Sequence, residues 1–332
     1  MYTIDMQNTN KIIDNKPLVS VDCITYNHEA YIRDALEGFL MQKTNFTFEV
    51  LIHDDASTDQ TANIIRKYEK DYPNIIKPIY QKENQFSKGK NVFREFQIPR
   101  IRGKYIAICE GDDYWTDPLK LQKQVDFLEN NSEYGLVYSN IDRLNEKTNA
   151  MERSVFNNQL RIINNTFEDF LINAWFLAPC TWMIRTEIYK KYEYLIKNEY
   201  VATDLAYLYI FSKNSKIHYY NESMAVYRAL TNSASHYTNI HDKYNFYRGI
   251  FKIQTDFSSH YNTNLSVIEQ MNCTYYLRIF KMACLLNDLK LKREAFLYLK
   301  KHTRLKIKKR VLYVITKFSV VRQIFIKSYF NY

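Results

Sequence analysis

Glycine and proline are scarce, with six of each in 332 residues. So few exclude a Gly/Pro-rich linker or low-complexity protein. They also exclude two phosphate cradles, because neither G-x-G-x-x-G nor G-x-x-x-x-G-K-[ST] occurs anywhere in the chain. Cysteine is odd in number and scattered: Cys23, Cys109, Cys180, Cys273 and Cys284, with no C-x-x-C pair. That argues against structural zinc and a disulfide framework, and predicts a reducing compartment. Cys23 and Cys109 lie inside apolar runs and read as small buried hydrophobes. No run of ~18 uncharged apolar residues exists, so no membrane-spanning helix is expected. Residues 1–17 are polar and lack an apolar h-region, so no secretory signal is expected either. These absences predict a cytoplasmic protein.

What is present is globular composition, 46% hydrophobic and 25% charged, in a chain long enough for one large domain or two ordinary ones. The net charge of +10 is unevenly spread. Residues 231–332 hold 18 Lys/Arg against 5 Asp/Glu, and residues 1–230 hold 28 against 31. The basic third therefore suits a polyanionic partner, either a membrane surface or nucleic acid. No recognised nucleic-acid module accompanies it, so nucleic acid is not expected as a partner.

Strand and helix signals alternate through the first half. β-rich runs stand at residues 18–24, 48–53, 75–80, 105–109 and 136–139. Between them, apolar residues at helical spacing predict helices over 29–41, 57–72 and 119–128, the second opened by a Ser57/Gln60 capping box. This alternation predicts a mostly parallel sheet flanked by helices. In such sheets ligands bind beyond the carboxyl ends of the strands. Further on, 180–184 reads as a strand, 203–211 as a short helix and 217–226 as extended. Beyond 231 the pattern is helical. The expected organisation is a polar tail (1–17), a domain over 18–230 divided near residue 140, and a basic helical region (231–332).

The three strand ends are all polar. Thr25-Tyr26-Asn27-His28-Glu29 follows the first. Asp54-Asp55-Ala56-Ser57-Thr58-Asp59 follows the second, and Glu110-Gly111-Asp112-Asp113 follows the fourth. An Asp beside a helix start can simply cap it. Three carboxylates at the end of a buried strand repel one another, and they persist together with a cation or donors to neutralise them. Oxygen ligands select Mg²⁺ or Mn²⁺ over zinc, and Mg²⁺ favours a few carboxylates plus substrate phosphates. The site therefore points to a phosphorylated, nucleotide-type substrate.

Three stretches, 17–27, 49–61 and 103–113, resemble the family 2 glycosyltransferases of the GT-A fold, firmly to about residue 140 and loosely to Arg228. The resemblance implies an inverting, metal-dependent transfer of a sugar from a nucleotide-sugar. The UDP-sugars are the expected donors, and the acceptor would be a glycan or lipid-linked molecule of cell-surface polysaccharide assembly. It also implies roles. Tyr26 would stack on the base beside Thr25 and Asn27, and Asp55 would accept from the base with Asp54 adjacent. Lys90 and Asn91 would lie near the donor. Asp112 would hold the ribose and Asp113 the metal, with Glu110 contributing to either. Arg228 belongs to a Tyr-Arg pair near the end of the family domain. Many relatives carry a His at the diphosphate two residues later, where this chain has Leu230. His236 is the other candidate for that role, or a surface residue.

An inverting transfer needs a base on the acceptor side. The candidates are Glu168, Asp169, Glu187, Glu193, Glu199, Asp204 and Glu222, and the resemblance favours Asp204, which opens an apolar helix and could equally cap it. Trp175 and Trp182 offer sugar-stacking faces or core packing. Val311, Val314, Ile315, Phe318, Val321 and Phe325 share one helical face behind a basic stretch. That helix suits the inner face of an anionic membrane or a hairpin packed on the catalytic domain. Two other functions compete. A sugar-nucleotidyltransferase would want a Gly-rich first loop, which residues 19–27 lack. A catalytically silent, membrane-associated relative would not need the intact Asp pairs.

Overall fold

The computed structural model describes residues 16–157, 165–174, 177–230 and 239–302. Trp175, His236 and the amphipathic stretch 311–325 lie outside the described residues, as do most of the polar N-terminal tail and of the basic stretch before 311.

The first half is the predicted alternation: β1 (Val19–Thr25), α1 (Ile32–Leu40), β2 (Phe48–Asp54), α2 (Thr61–Asp71), β3 (Ile76–Tyr80) and β4 (Tyr105–Ile108). β1 pairs in parallel with β2 and β4, and β2 with β3. β1, β2 and β4 are almost wholly buried, with Val19, Val21, Cys23, Val50, Leu51, Ile52, Ile106 and Ala107 in the core. Thr25 lies opposite Asp54. The chain beyond β4 stays in line with β1, since Cys109 N–H donates to Asp22 O at 3.0 Å and Gly111 N–H to Ile24 O at 3.0 Å. Three loops therefore leave the sheet along one edge.

The second half is β5 (Tyr114–Trp115), α3 (Lys120–Asn130), β6 (Tyr134–Asn145), β7 (Ala150–Glu152), α4 (Phe167–Asn173), β8 (Met183–Arg185), α5 (Thr186–Tyr192), α6 (Thr203–Asn214) and β9 (Lys216–Ala229). The nine strands among the described residues form one mixed sheet in the order β3-β2-β1-β4-β8-β6-β9-β5, with β7 on β6. β8 runs antiparallel to both β4 and β6 and so joins the two halves. The architecture is the α/β, GT-A-type sheet flanked by helices. Three long helices follow, α7 (Ile240–His260), α8 (Leu265–Leu286) and α9 (Leu289–His302).

Two local expectations are corrected. Ser57 does not cap α2. Its hydroxyl donates to Asp54 and accepts from Asn27 N–H (2.9 Å), while Asp59 takes the Thr61 N–H at 2.9 Å and Glu29 the Gln60 N–H at 2.8 Å. The helix start is thus capped from two loops, which spacing along one segment does not reveal. The run at 180–184 is also split. Pro179–Thr181 forms a 3₁₀ turn, held by Gln124 donating to Thr181 O at 2.8 Å and Ser139 N–H to Thr181 Oγ1 at 3.2 Å, and only Met183–Arg185 is strand.

The main core also extends past residue 230. Ile250, Ile253, Phe257 and Met271 join it. Gln254 donates to Leu171 O at 2.5 Å and Arg278 to Asn173 O at 2.8 Å. No helix among the described residues is long and apolar enough to cross a membrane.

Candidate active site

The loop after β1 is held by the loop after β2. Asn27 adopts φ 53°, a left-handed conformation that Asn tolerates better than most residues. Its Oδ1 accepts from Thr58 N–H at 2.8 Å, and its own N–H reaches Ser57 Oγ. Tyr26, beside it, is 42% exposed and offers a free ring. Thr25 is buried and shares a hydrogen bond of 3.1 Å with His28 Nδ1. Burial lowers the His28 pKa against the pull of Asp112 and Asp59.

Asp54 and Asp55 are both buried. Desolvation raises Asp54, offset by its hydrogen bonds from Ser57. Asp55 accepts from the backbone N–H groups of Gln85 (2.8 Å) and Phe86 (3.0 Å), and its Oδ1 lies 3.3 Å from His53 Nε2. Its carboxylate thus organises the loop after β3 from inside. His53 is fully buried, and burial lowers its pKa.

The loop after β4 gathers Glu110, Asp112 and Asp113 so that one carboxylate oxygen of each lies within 4.8 Å of the others. Asp113 is buried, and its Oδ1 accepts from Arg228 N–H at 2.8 Å. Burial, reinforced by Asp112, pushes the Asp113 carboxyl well above the usual carboxylate range. Glu110 is exposed. Desolvation raises it, followed by the charges of Asp112, Asp113 and Asp204. Three carboxylates this close together suit a hard divalent cation, which takes oxygen ligands.

Asp204 is the only one of the seven candidate bases among the charges acting on Glu110. It is not the N-cap of α6, a place taken by Ala202, although it accepts from Leu205 N–H at 2.9 Å. Burial raises its pKa. Glu168 pairs with Lys213, Glu199 with Lys252 and Glu222 with Lys123, and Asp169 takes part in the start of α4. Lys90 is tied to Glu95 at 3.0 Å. Asn91 accepts from Arg94 N–H at 3.0 Å, and its buried side-chain amide lies against the Tyr207 hydroxyl. Arg228, 6% exposed, directs its guanidinium at Asp112 O (2.7 Å) and at Asp34. Trp182 is core, its Nε1 donating to Leu177 O at 2.9 Å.

Three residues near the site escape a sequence reading. Lys120 is fully buried, on the Trp115 ring at 4.2 Å and donating to Gln124 at 2.8 Å. Gln124 in turn donates to Thr181 O at 2.8 Å, which fixes the turn whose Cys180 thiol meets Asp113. Asp22 on β1 is 4% exposed with one oxygen unpartnered among the described residues. A charged residue inside an apolar strand was its only signal. Asp34 left none, because its partner Arg228 is 194 residues away.

The family model described as "Glycosyl transferase family 2" matches residues 20–193. The chain belongs to glycosyl transferase family 2. The Bacillus subtilis protein TuaG, named as a teichuronic acid biosynthesis glycosyltransferase, is 32% identical to this family 2 glycosyltransferase over 227 residues, 66% of this chain and 82% of TuaG. The chain aligns with about a third (32%) of the length of the first curated relatives it matches. Among solved structures, Staphylococcus aureus TarS 1-349 in complex with UDP-GlcNAc superposes with TM-score 0.54 at 18% identity, covering 90% of this chain and 79% of TarS 1-349. A mannosyltransferase from Pyrobaculum calidifontis in complex with GDP-Man and Mn²⁺ superposes with TM-score 0.50 at 15% identity, covering 96% and 90%. These two likenesses establish the fold.

Proposed function

We propose that this family 2 glycosyltransferase transfers a sugar, with inversion, from a UDP-sugar to a hydroxyl of a glycan or lipid-linked acceptor during cell-surface polysaccharide assembly. The observation that carries the proposal is the cluster of Glu110, Asp112 and Asp113 at the carboxyl edge of the sheet, with the charge of Asp204 acting on Glu110. TuaG's name supports the polysaccharide assignment. The nucleotide-sugars in the neighbouring structures support the donor class.

The donor base stacks on Tyr26 and meets the Thr25–Asn27 and Asp54/Asp55 loops. The ribose meets Asp112. The buried amide of Asn91 and the Lys90 ammonium face the donor from the loop after β3. Asp113, with Asp112 and Glu110, would hold Mn²⁺ or Mg²⁺, which would supply positive charge to the departing diphosphate. Asp204 takes the proton of the acceptor hydroxyl as its oxygen bonds to the anomeric carbon. The bond from that carbon to the diphosphate breaks, and its electron pair leaves with the diphosphate. A carboxylate of raised pKa suits this task, since it is a stronger base than a solvated one. The basic third of the chain rests on the anionic inner face of the membrane, bringing the site to a lipid-linked acceptor.

The test is thermal stabilisation by UDP with Mn²⁺ and with EDTA. At 100-fold excess over Kd, UDP–Mn²⁺ should add about 2.7 kcal/mol. Equal stabilisation in EDTA counts against the metal, and no stabilisation by any nucleoside diphosphate counts against the donor site.

A further inference from the structure

The guanidinium of Arg228 is engaged by hydrogen bonds and by two aromatic rings. Nη1 donates to the Asp112 carbonyl at 2.7 Å and Nη2 to the Asp34 carboxylate. Tyr31 covers one face, 5.1 Å from ring centre to guanidinium carbon, and Tyr114 lies at 4.6 Å. The Arg228 main-chain N–H donates to Asp113 Oδ1. Three elements distant in sequence thus converge: Asp34 from α1, Asp112 and Asp113 from the loop after β4, and Arg228 from the end of β9. Asp34 is the outermost member, its side chain half exposed, whereas that of Arg228 is 7% exposed.

We propose that Asp34 is a positioning residue for the carboxylate loop, acting through Arg228, and that Arg228 braces this loop rather than binding the donor diphosphate. The proposal rests on the reading of Glu110, Asp112 and Asp113 as cation ligands. A buried cation beside three carboxylates is drawn to their oxygens, where it would displace a metal. Asp34 supplies a competing anion on the far side. It turns the guanidinium so that its inward N–H meets a backbone carbonyl instead of a ligand oxygen. The carboxylates of Asp112 and Glu110 are left for the metal, and Asp113 is oriented by the Arg228 backbone N–H and the Cys180 thiol. Outer partners of this kind fix ligand geometry, and losing one typically weakens metal binding by 10–100-fold.

The experiment uses the full chain in two assays. Mn²⁺ affinity is measured by electron paramagnetic resonance of the free ion, without nucleotide. Hydrogen exchange of the segment 110–116 is followed in metal-free protein. Asp34→Ala and Arg228→Ala should each weaken Mn²⁺ about 10–100-fold and speed exchange of that segment, with melting temperature nearly unchanged. The double variant should be no worse than Arg228→Ala alone, and Asp34→Glu should restore most of the loss. Wild-type Mn²⁺ affinity and exchange in Asp34→Ala overturn the proposal. So does an Asp34→Ala effect that persists undiminished in the Arg228→Ala background, which would mean a direct charge effect. Selective loss of UDP over UMP binding in Arg228→Ala, with unchanged exchange, would make Arg228 a diphosphate ligand and also overturns it. If wild type binds no Mn²⁺ while Asp34→Ala still speeds exchange, the metal reading fails and the brace stands.

Discussion

Asp113 and Asp204 are both carboxylates of raised pKa, yet the proposed mechanism gives them separable work. Asp113→Asn keeps the shape and the hydrogen bond from Arg228 N–H while removing the charge, so Mn²⁺-dependent UDP binding should fall sharply by calorimetry. Asp204→Asn should leave UDP–Mn²⁺ affinity nearly intact and reduce transfer by ~10²–10⁴-fold, the share a general base supplies. Melting temperature measured on the same sample guards against a folding defect. Asp22 adds a pH effect on stability. Burial pushes its carboxyl from 3.8 up to about 7, against a hydrogen bond from Gln97 and the charge of Arg100. The folded protein therefore holds this proton more tightly than the unfolded chain. The stability linked to it is full below pH ~4 and is lost as pH rises through about 7. Asp22→Asn cannot ionise. It should reduce the fall in urea-unfolding free energy between pH 5 and pH 8 by roughly 2–3 kcal/mol.

At the level of elements, α1 sets the position of the carboxylate loop by close approach. Gly38 faces β5, and a Cβ there would come within 2.9 Å of the Trp115 backbone nitrogen and 3.1 Å of its carbonyl oxygen. Neither atom can swing away. Gly38→Ala gains helix propensity worth about 1 kcal/mol, but pushing two backbones apart costs about 1–3 kcal/mol. The net effect in urea unfolding should be destabilising. UDP–Mn²⁺ affinity should fall as well, because the loop carrying Asp112 and Asp113 leads directly into β5. Gly111 has a related role at φ < 0, since a Cβ there would meet Thr25 Oγ1 at 2.6 Å. The strands and helices of the first half were legible because their periods are local. The double capping of α2 and the split at Pro179 were not, since each is decided by partners in another loop or strand.

Across the whole molecule, the basic C-terminal third is not an appendage. α7 and α8 contribute Ile250, Ile253, Phe257 and Met271 to the main core, and Asp256 on α7 is bonded by Lys197 at 2.6 Å and Tyr200 at 3.0 Å. A chain ending at residue 238 should expose that apolar surface and aggregate, read by light scattering. A chain ending at residue 302 should stay folded and keep UDP–Mn²⁺ affinity, but bind anionic vesicles more weakly, with a loss that high salt mimics in the full chain. Unchanged vesicle binding of the shorter chain would remove the membrane role from residues 303–332.

By itself the sequence determined the alternation of strands and helices, the three polar strand ends and the carboxylates of the loop after β4. Each is written in contiguous residues whose period or chemistry needs no partner to be recognised. It also carried the resemblance to family 2, because those motifs are short and ordered. Only the tertiary structure decided which of seven acidic residues acts by its charge on Glu110, how Lys120 and Gln124 support the turn that carries Cys180, and that Asp34 holds Arg228. These pairings join residues tens to hundreds of positions apart. Their energies come from burial and charge at close range, which no local pattern encodes.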